Sequence, residues 1–327
     1  MNRPANTPAD GSDAAAAVSP QRLDPPAIPS WLADLSLLIT ATIWGINIPV
    51  VKFATRFMDP LAFNASRMIL STATLALFAW IEARRQKWSF VPFSSPHVDN
   101  TRVIIFALCS GLLYPLLFMF GIHRTTAGNT ALLLSSMPMW TALLSLAFLH
   151  ERLRWVTWLG LLITFCGTAI VTGAGGELSL AADHFRGNLL ILLAAISWAA
   201  GTVMSTPLLR GISPLQLAFW SSLLTTPIHL WITRHQLSDV WLALDSPPLL
   251  ATLLYSGILS TGVAYVTWHV GVRRLGGSHA AVYQNVVTMV AVLGGWIALR
   301  EKPLAAQLVG GLLVFVGLLV MRRGRVQ

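Results

Sequence analysis

Residues 151–167 read ERLRWVTWLGLLITFCG, and residues 301–317, displaced by 150 positions, read EKPLAAQLVGGLLVFVG. Each opens on a glutamate and places glycines nine and sixteen positions later, at Gly160 and Gly167 and again at Gly310 and Gly317. Carried outward without a gap, the same displacement pairs Ser110 with Ser260, Gly121 with Gly271, Arg124 with Arg274, Met139 with Met289 and Phe165 with Phe315. A displacement of 154 pairs Trp44 with Trp198 and Pro60 with Pro214. Leucines coincide by chance in apolar sequence, so the shared Glu, Arg, Pro, Trp and Gly carry the argument for an internal duplication.

Around these stretches lie ten apolar runs, near 35–51, 61–81, 103–122, 127–149, 155–172, 189–209, 215–232, 249–272, 280–299 and 304–321. Each is close to the roughly 17–25 residues that cross a hydrocarbon core as a helix. A membrane barrel would alternate over about ten residues, and these runs are apolar throughout, so helices are expected. The composition agrees: of 327 residues 55% are hydrophobic and 11% charged, against roughly 25% charged in soluble domains. A soluble enzyme is excluded, because so few charges cannot cover its surface. The net charge of +9 is spread in ones and twos between apolar runs, so nucleic acid is not the expected partner. Cys109 and Cys166 both sit inside apolar runs and read as small core residues, with no metal or cofactor motif beside them.

The expected fold class is an all-α integral membrane protein of ten transmembrane helices arranged as two inverted five-helix repeats. The domains are a disordered tail at 1–30, a first repeat at 31–173, a linker at 174–187, a second repeat at 188–322 and a basic tail at 323–327. The tail carries six prolines and lacks the pattern of a cleaved signal, so the first helix is expected to remain as a signal anchor. Five crossings per repeat turn the second copy upside down. Inverted repeats commonly build secondary transporters, whose central site opens to each side in turn. The side holding both termini carries fourteen Lys and Arg against seven opposite, which places both termini in the cytoplasm. Glu151 then belongs on the cytoplasmic side and Glu301 on the outer side.

The chain resembles the drug/metabolite transporter superfamily, in particular its EamA-type ten-helix permeases. The resemblance spans about residues 33–323 and rests on Trp44-Gly45 with Asn47 and Lys52, on Asp59-Pro60 with Arg67, on Pro138, and on the Glu151 and Glu301 motifs with their glycine pairs. It implies a bundle with a central substrate cavity built chiefly by the first four helices of each half, and a peripheral fifth and tenth helix. The second half departs from the pattern, with Ala199, Ser221 and Thr288 standing where Gly45, Arg67 and Pro138 do.

The acidic residues all fall at helix ends, in loops or in the tail, so no carboxylate relay crosses the membrane. His229 and His269 read as hydrogen-bonded structural residues more readily than as proton carriers. Arg67 lies seven residues into its helix, about 10 Å along it. It must face the interior or snorkel, serving as a structural ligand of helix-end carbonyls or as an anion anchor. Substrate contacts are expected from Trp44, Asn47, Arg67, Tyr114, Ser135, Trp198, Thr202, Thr261, Tyr265, Gln284 and Asn285, polar or half-polar groups that need partners in lipid. Gln284 and Asn285 point different ways, so one of the two is expected at the cavity. Gating or structural roles fall to Lys52, Pro138, Glu151 and Glu301, with Glu301 neutralised by Arg300 or Lys302 and Glu151 by Arg152 or Arg154. The glycine pairs suit packing inside the bundle, a homodimer contact being the alternative.

No phosphate-binding loop, zinc-protease or nucleophile-elbow motif is present, so no enzyme is expected. The function expected is secondary transport across the bacterial inner membrane, exporting or exchanging a small organic metabolite such as an amino acid by alternating access. An anion antiporter of the sugar-phosphate kind on the same fold, or a non-transporting membrane scaffold, are the alternatives.

Overall fold

The computed structural model describes residues 30–86, 99–149, 154–173, 182–209, 211–275, 280 and 283–324. Among them ten helical spans follow one another: α1 (Ser30–Ala54), α2 (Pro60–Gln86), α3 (Asn100–Arg124), α4 (Ala127–Phe148), α5 (Trp155–Gly173), α6 (Asp183–Leu208), α7 (Pro214–Thr233), α8 (Pro247–Arg274), α9 (Gln284–Leu299) and α10 (Ala305–Gly324). A short helix, Val240–Asp245, leads into α8. The starts follow local chemistry. The Asp59 carboxylate accepts from the Leu61 and Ala62 N–H groups ahead of α2, Thr126 caps α4, and Ser213 with Gln216 forms a capping box at α7 behind Pro214. α6 begins at Asp183, ahead of the apolar run expected from Leu189, because its first turn is built from polar residues outside the hydrocarbon. The tail before Ser30, Glu151 and Arg152 lie outside the described residues.

Hydrogen bonds at the helix ends show that the second half is turned over. Glu301, just past the end of α9, accepts from the Ala127 N–H at the start of α4 (2.8 Å) and pairs at 3.5 Å with Arg56, just past the end of α1. Beside it, the Thr125 hydroxyl donates to Asn188 in the first turns of α6 (2.6 Å). The C-terminal end of α1 and the N-terminal end of its counterpart α6 therefore share one face of the bundle. At the other face the Tyr283 hydroxyl, at the head of α9, donates to Asp34 at the head of α1 (2.8 Å). There too the Ser213 hydroxyl, at the head of α7, donates to Glu82 near the end of α2 (3.1 Å).

Glu301 thus corrects the expected pairing with Arg300 or Lys302. Arg300 takes a left-handed conformation (φ 58°) and Glu301 N–H returns to Gly295 O, so the chain reverses as α9 ends. The carboxylate is carried away from its sequence neighbours to the N-terminus of α4, where negative charge is favourable.

The halves pack by exchange of equivalents. α1 lies on α8 and α9, and α6 on α3 and α4, while α2 faces α7, α4 faces α9 and α5 faces α10. α5 and α10 turn Leu162, Phe165, Leu308 and Leu312 outward, large apolar side chains that only lipid would accept. Their inner faces meet through the glycine pairs: a Cβ on Gly167 would stand 2.6 Å from Gly310 O, and one on Gly317 2.7 Å from Gly160 O. Backbone presses on backbone there, within the chain.

Candidate functional site

α3 and α8 each lose helical regularity at repeat-equivalent positions. A π-helical stretch occupies Ala107–Leu113 in one and Tyr255–Val263 in the other. Such widening disturbs the carbonyl ladder and gathers at functional sites. In α3 the cause is visible in the sequence: Pro115 has no N–H to return to Ser110 or Gly111. Side chains from the second half take these carbonyls instead. The Tyr265 hydroxyl donates to Ser110 O (3.1 Å) and His229 Nε2 to Gly111 O (2.8 Å), and the Ser197 hydroxyl adds a second donor at Cys109 O (2.9 Å), which also accepts from the Tyr114 N–H. In α8 the debt is repaid in the other direction, Trp44 Nε1 donating to Ser260 O (2.9 Å). Tyr265 occupies the repeat position of Pro115.

Between these two segments lies a cavity of about 80 Å³ at the centre of the bundle, room for several water molecules. Its walls come in repeat-related pairs: Ser110 with Ser260, Gly111 with Thr261, Arg67 with Ser221, Ser71 with Thr225, Leu134 with Gln284 and Trp44 with Trp198. One side is aromatic. Trp198 meets Trp44 edge-on at 5.4 Å, Tyr114 at 4.9 Å and Tyr265 at 5.4 Å between ring centroids, with Trp268 behind Trp44 at 5.1 Å. The other side is α2 against α7. Thr72 bonds both Ser222 and Thr226 across that contact, at 2.6 and 2.8 Å. Gly111 is required here, since a Cβ would stand 2.7 Å from the Ser221 hydroxyl and 2.9 Å from that of Thr225.

Arg67, 4% exposed, enters this wall from α2. Its Nε donates to Asn64 Oδ1 (3.1 Å), an Nη group reaches Ser256 Oγ at 3.5 Å, and the guanidinium stands 5.9 Å from the Phe118 ring centroid. No carboxylate pairs with it among the described residues. Asn64 Nδ2 faces His229 Nδ1 at 3.1 Å. Because Asn64 must offer its oxygen to Arg67, its amide donates to His229. The ring therefore accepts at Nδ1 and donates at Nε2, as the neutral tautomer.

The structure gathers eight of the expected contacts around the cavity: Trp44, Asn47, Arg67, Tyr114, Trp198, Thr261, Tyr265 and Gln284. Ser135 and Thr202 are not on its walls. Each hydroxyl turns back on its own helix, to Leu132 O (2.6 Å) and Trp198 O (3.0 Å). The Asn285 side chain lies outside the described residues. Pro138 divides α4 into Ala127–Leu134 and Met137–Leu149. The break places Leu134 and Met137 on the cavity wall. Lys52 donates to Ile122 O (2.9 Å) and His123 O (3.1 Å), closing the carbonyl end of α3. His269 is buried against Tyr265 O (2.7 Å). Ser71, Ser110, Ser221 and Thr225 were missed. A lone hydroxyl in an apolar helix carries little signal, but three of these four are repeat partners of residues already singled out or of one another.

A family model, described as the EamA-like transporter family, matches residues 31–173 and again 185–323, one match to each five-helix half. The chain belongs to the EamA-like transporter family. It is 24% identical over 284 residues to the uncharacterized transporter YoaV of Bacillus subtilis, covering 87% of this chain and 94% of that protein. It is likewise 24% identical over 294 residues to a probable terminal-alkyne amino-acid exporter of Streptantibioticus cattleyicolor, covering 88% and 92%. A crystal structure of 17% identity superposes with a TM-score of 0.63 over 89% of this chain and 98% of its own, which is a likeness of fold. This EamA-like protein is accordingly a membrane transporter and not an enzyme.

Proposed function

We propose that this EamA-like protein is a secondary transporter of the bacterial inner membrane, with both termini cytoplasmic, that exports or exchanges a small organic metabolite such as an amino acid. The observation that carries this reading is the central cavity, walled by equivalent positions of two halves that run in opposite directions. Such halves can exchange conformations and open one site alternately to each side. The similarity to a probable terminal-alkyne amino-acid exporter supports the substrate class. The purified protein in proteoliposomes should show saturable flux of small amino acids, accelerated by substrate on the opposite side. Trp44→Ala should slow it. No flux for any such compound would overturn the reading. Arg67, without a carboxylate partner among the described residues, favours a second reading as an anion exchanger, for which flux would depend strictly on an anion in the opposite compartment.

A further inference from the structure

We infer that Arg67, Ser71 and Ser221 form an oxyanion subsite for a substrate carboxylate, and that Asn64 and His229 are positioning residues that aim the guanidinium into it. This rests on the transport reading only in calling the bound molecule a substrate. Three polar atoms on the cavity wall are buried with no hydrogen-bond partner among the described residues: Ser71 Oγ, Ser221 Oγ and Asn47 Oδ1. Their residues are 0%, 1% and 6% exposed. A group left unbonded in this way costs about 1–3 kcal/mol, and three around one cavity mark a place where a polar ligand completes the bonding.

The chemistry of the set identifies that ligand. Ser71 is four residues beyond Arg67, on the same face of α2, and Ser221 stands at the repeat position of Arg67 on the facing helix α7. Two hydroxyls can donate. The guanidinium, bonded to described residues at Nε and one Nη group, keeps further N–H donors for the cavity. Donors lining one cavity beside a positive charge that has no carboxylate partner among the described residues suit a singly charged group with two oxygens, which is a carboxylate. A doubly charged phosphate would leave one negative charge buried and uncompensated. Asn47 Oδ1 accepts only, and fits an N–H or O–H elsewhere on the same molecule.

The aim of Arg67 is fixed from behind. Asn64 holds Nε, His229 holds Asn64, and His229 is itself tied to Gly111 O in the widened segment of α3. The chain of bonds runs from α2 through α7 to α3 and uses groups buried from both faces.

The test measures binding to the full-length protein in nanodiscs by calorimetry and thermal shift. The ligands are matched triplets on apolar chains of increasing length: carboxylate, primary amide and phosphonate, with leucine and leucinamide as a further pair. The carboxylate should bind about tenfold more tightly than its amide and more tightly than its phosphonate. Ser71→Ala and Ser221→Ala should each lower that ratio several-fold, and Arg67→Gln should abolish it. His229→Gln, which can both accept and donate, should keep most of the ratio, whereas His229→Leu should lose it while the amide still binds. Should Arg67→Gln fail to fold, the two serine variants decide. No carboxylate preference in any triplet, a phosphonate preference, or a preference that survives in Ser71→Ala/Ser221→Ala would overturn the assignment. Flux of neutral or cationic solutes without carboxylate preference sinks the subsite and spares transport; carboxylate binding without flux does the reverse.

Discussion

At the scale of single residues, Glu301 shows how position decides the worth of a charge. Its carboxylate caps α4 and pairs with Arg56, but Arg56 is about half exposed. Glu301→Gln should therefore cost about 1–2 kcal/mol through the weakened cap, while Arg56→Gln should cost under about 1 kcal/mol. Thermal unfolding in detergent separates them, and equal losses would contradict the account. The acid itself was legible in the sequence from its repeated motif. Its partner was not, because the left-handed turn at Arg300 redirects the chain and tertiary geometry supplies Arg56. The cavity residues divide along the same line. Trp44, Trp198, Tyr114 and Arg67 were legible because lipid does not tolerate them unpartnered. Ser71 and Ser221 were hidden because a serine in a membrane helix usually bonds its own backbone, as Ser135 does.

The helices themselves were readable as apolar runs, and the break in α4 from Pro138, but the widening of α3 and α8 was not. Widened segments in α3 and α8 leave no mark in hydropathy; Pro115 is the one cue, and it belongs to α3 alone. Pro115→Ala returns an N–H to a ladder whose carbonyls already have partners in Tyr265 and His229. The expected outcome is an unchanged or raised unfolding temperature with slower flux, because α3 would draw back toward regular winding and compete with the bonds that cross to the second half. Faster transport would be the wrong sign. In the peripheral pair the limit is steric. Gly167→Ala sets a methyl group 2.6 Å from Gly310 O, and overpacking of this kind costs about 1–3 kcal/mol, again visible as a lowered unfolding temperature.

For the whole molecule, inversion followed from counting crossings, and the hydrogen bonds at the two faces bear it out. Which side chains would cross between the halves was not readable, since that depends on the register of one half against the other. The orientation is open to a direct measurement. Single cysteines at Arg56 and Asp183 should react with an impermeant reagent from outside the cell, and those at Glu82 and Leu215 only after the membrane is opened. Labelling of all four from one compartment would refute the inverted arrangement.

The crossing bonds around α3 also mean that the duplicated halves are no longer interchangeable. At the positions of Tyr265, His229 and Ser197, the first half carries Pro115, Leu75 and Ile43. A chimera made of two first halves would double the number of stranded oxygens and supply none of the hydroxyl or imidazole groups that answer them. Divergence has made each half the necessary complement of the other, and a return to a symmetric ancestor by gene fusion should yield a protein that cannot assemble its centre.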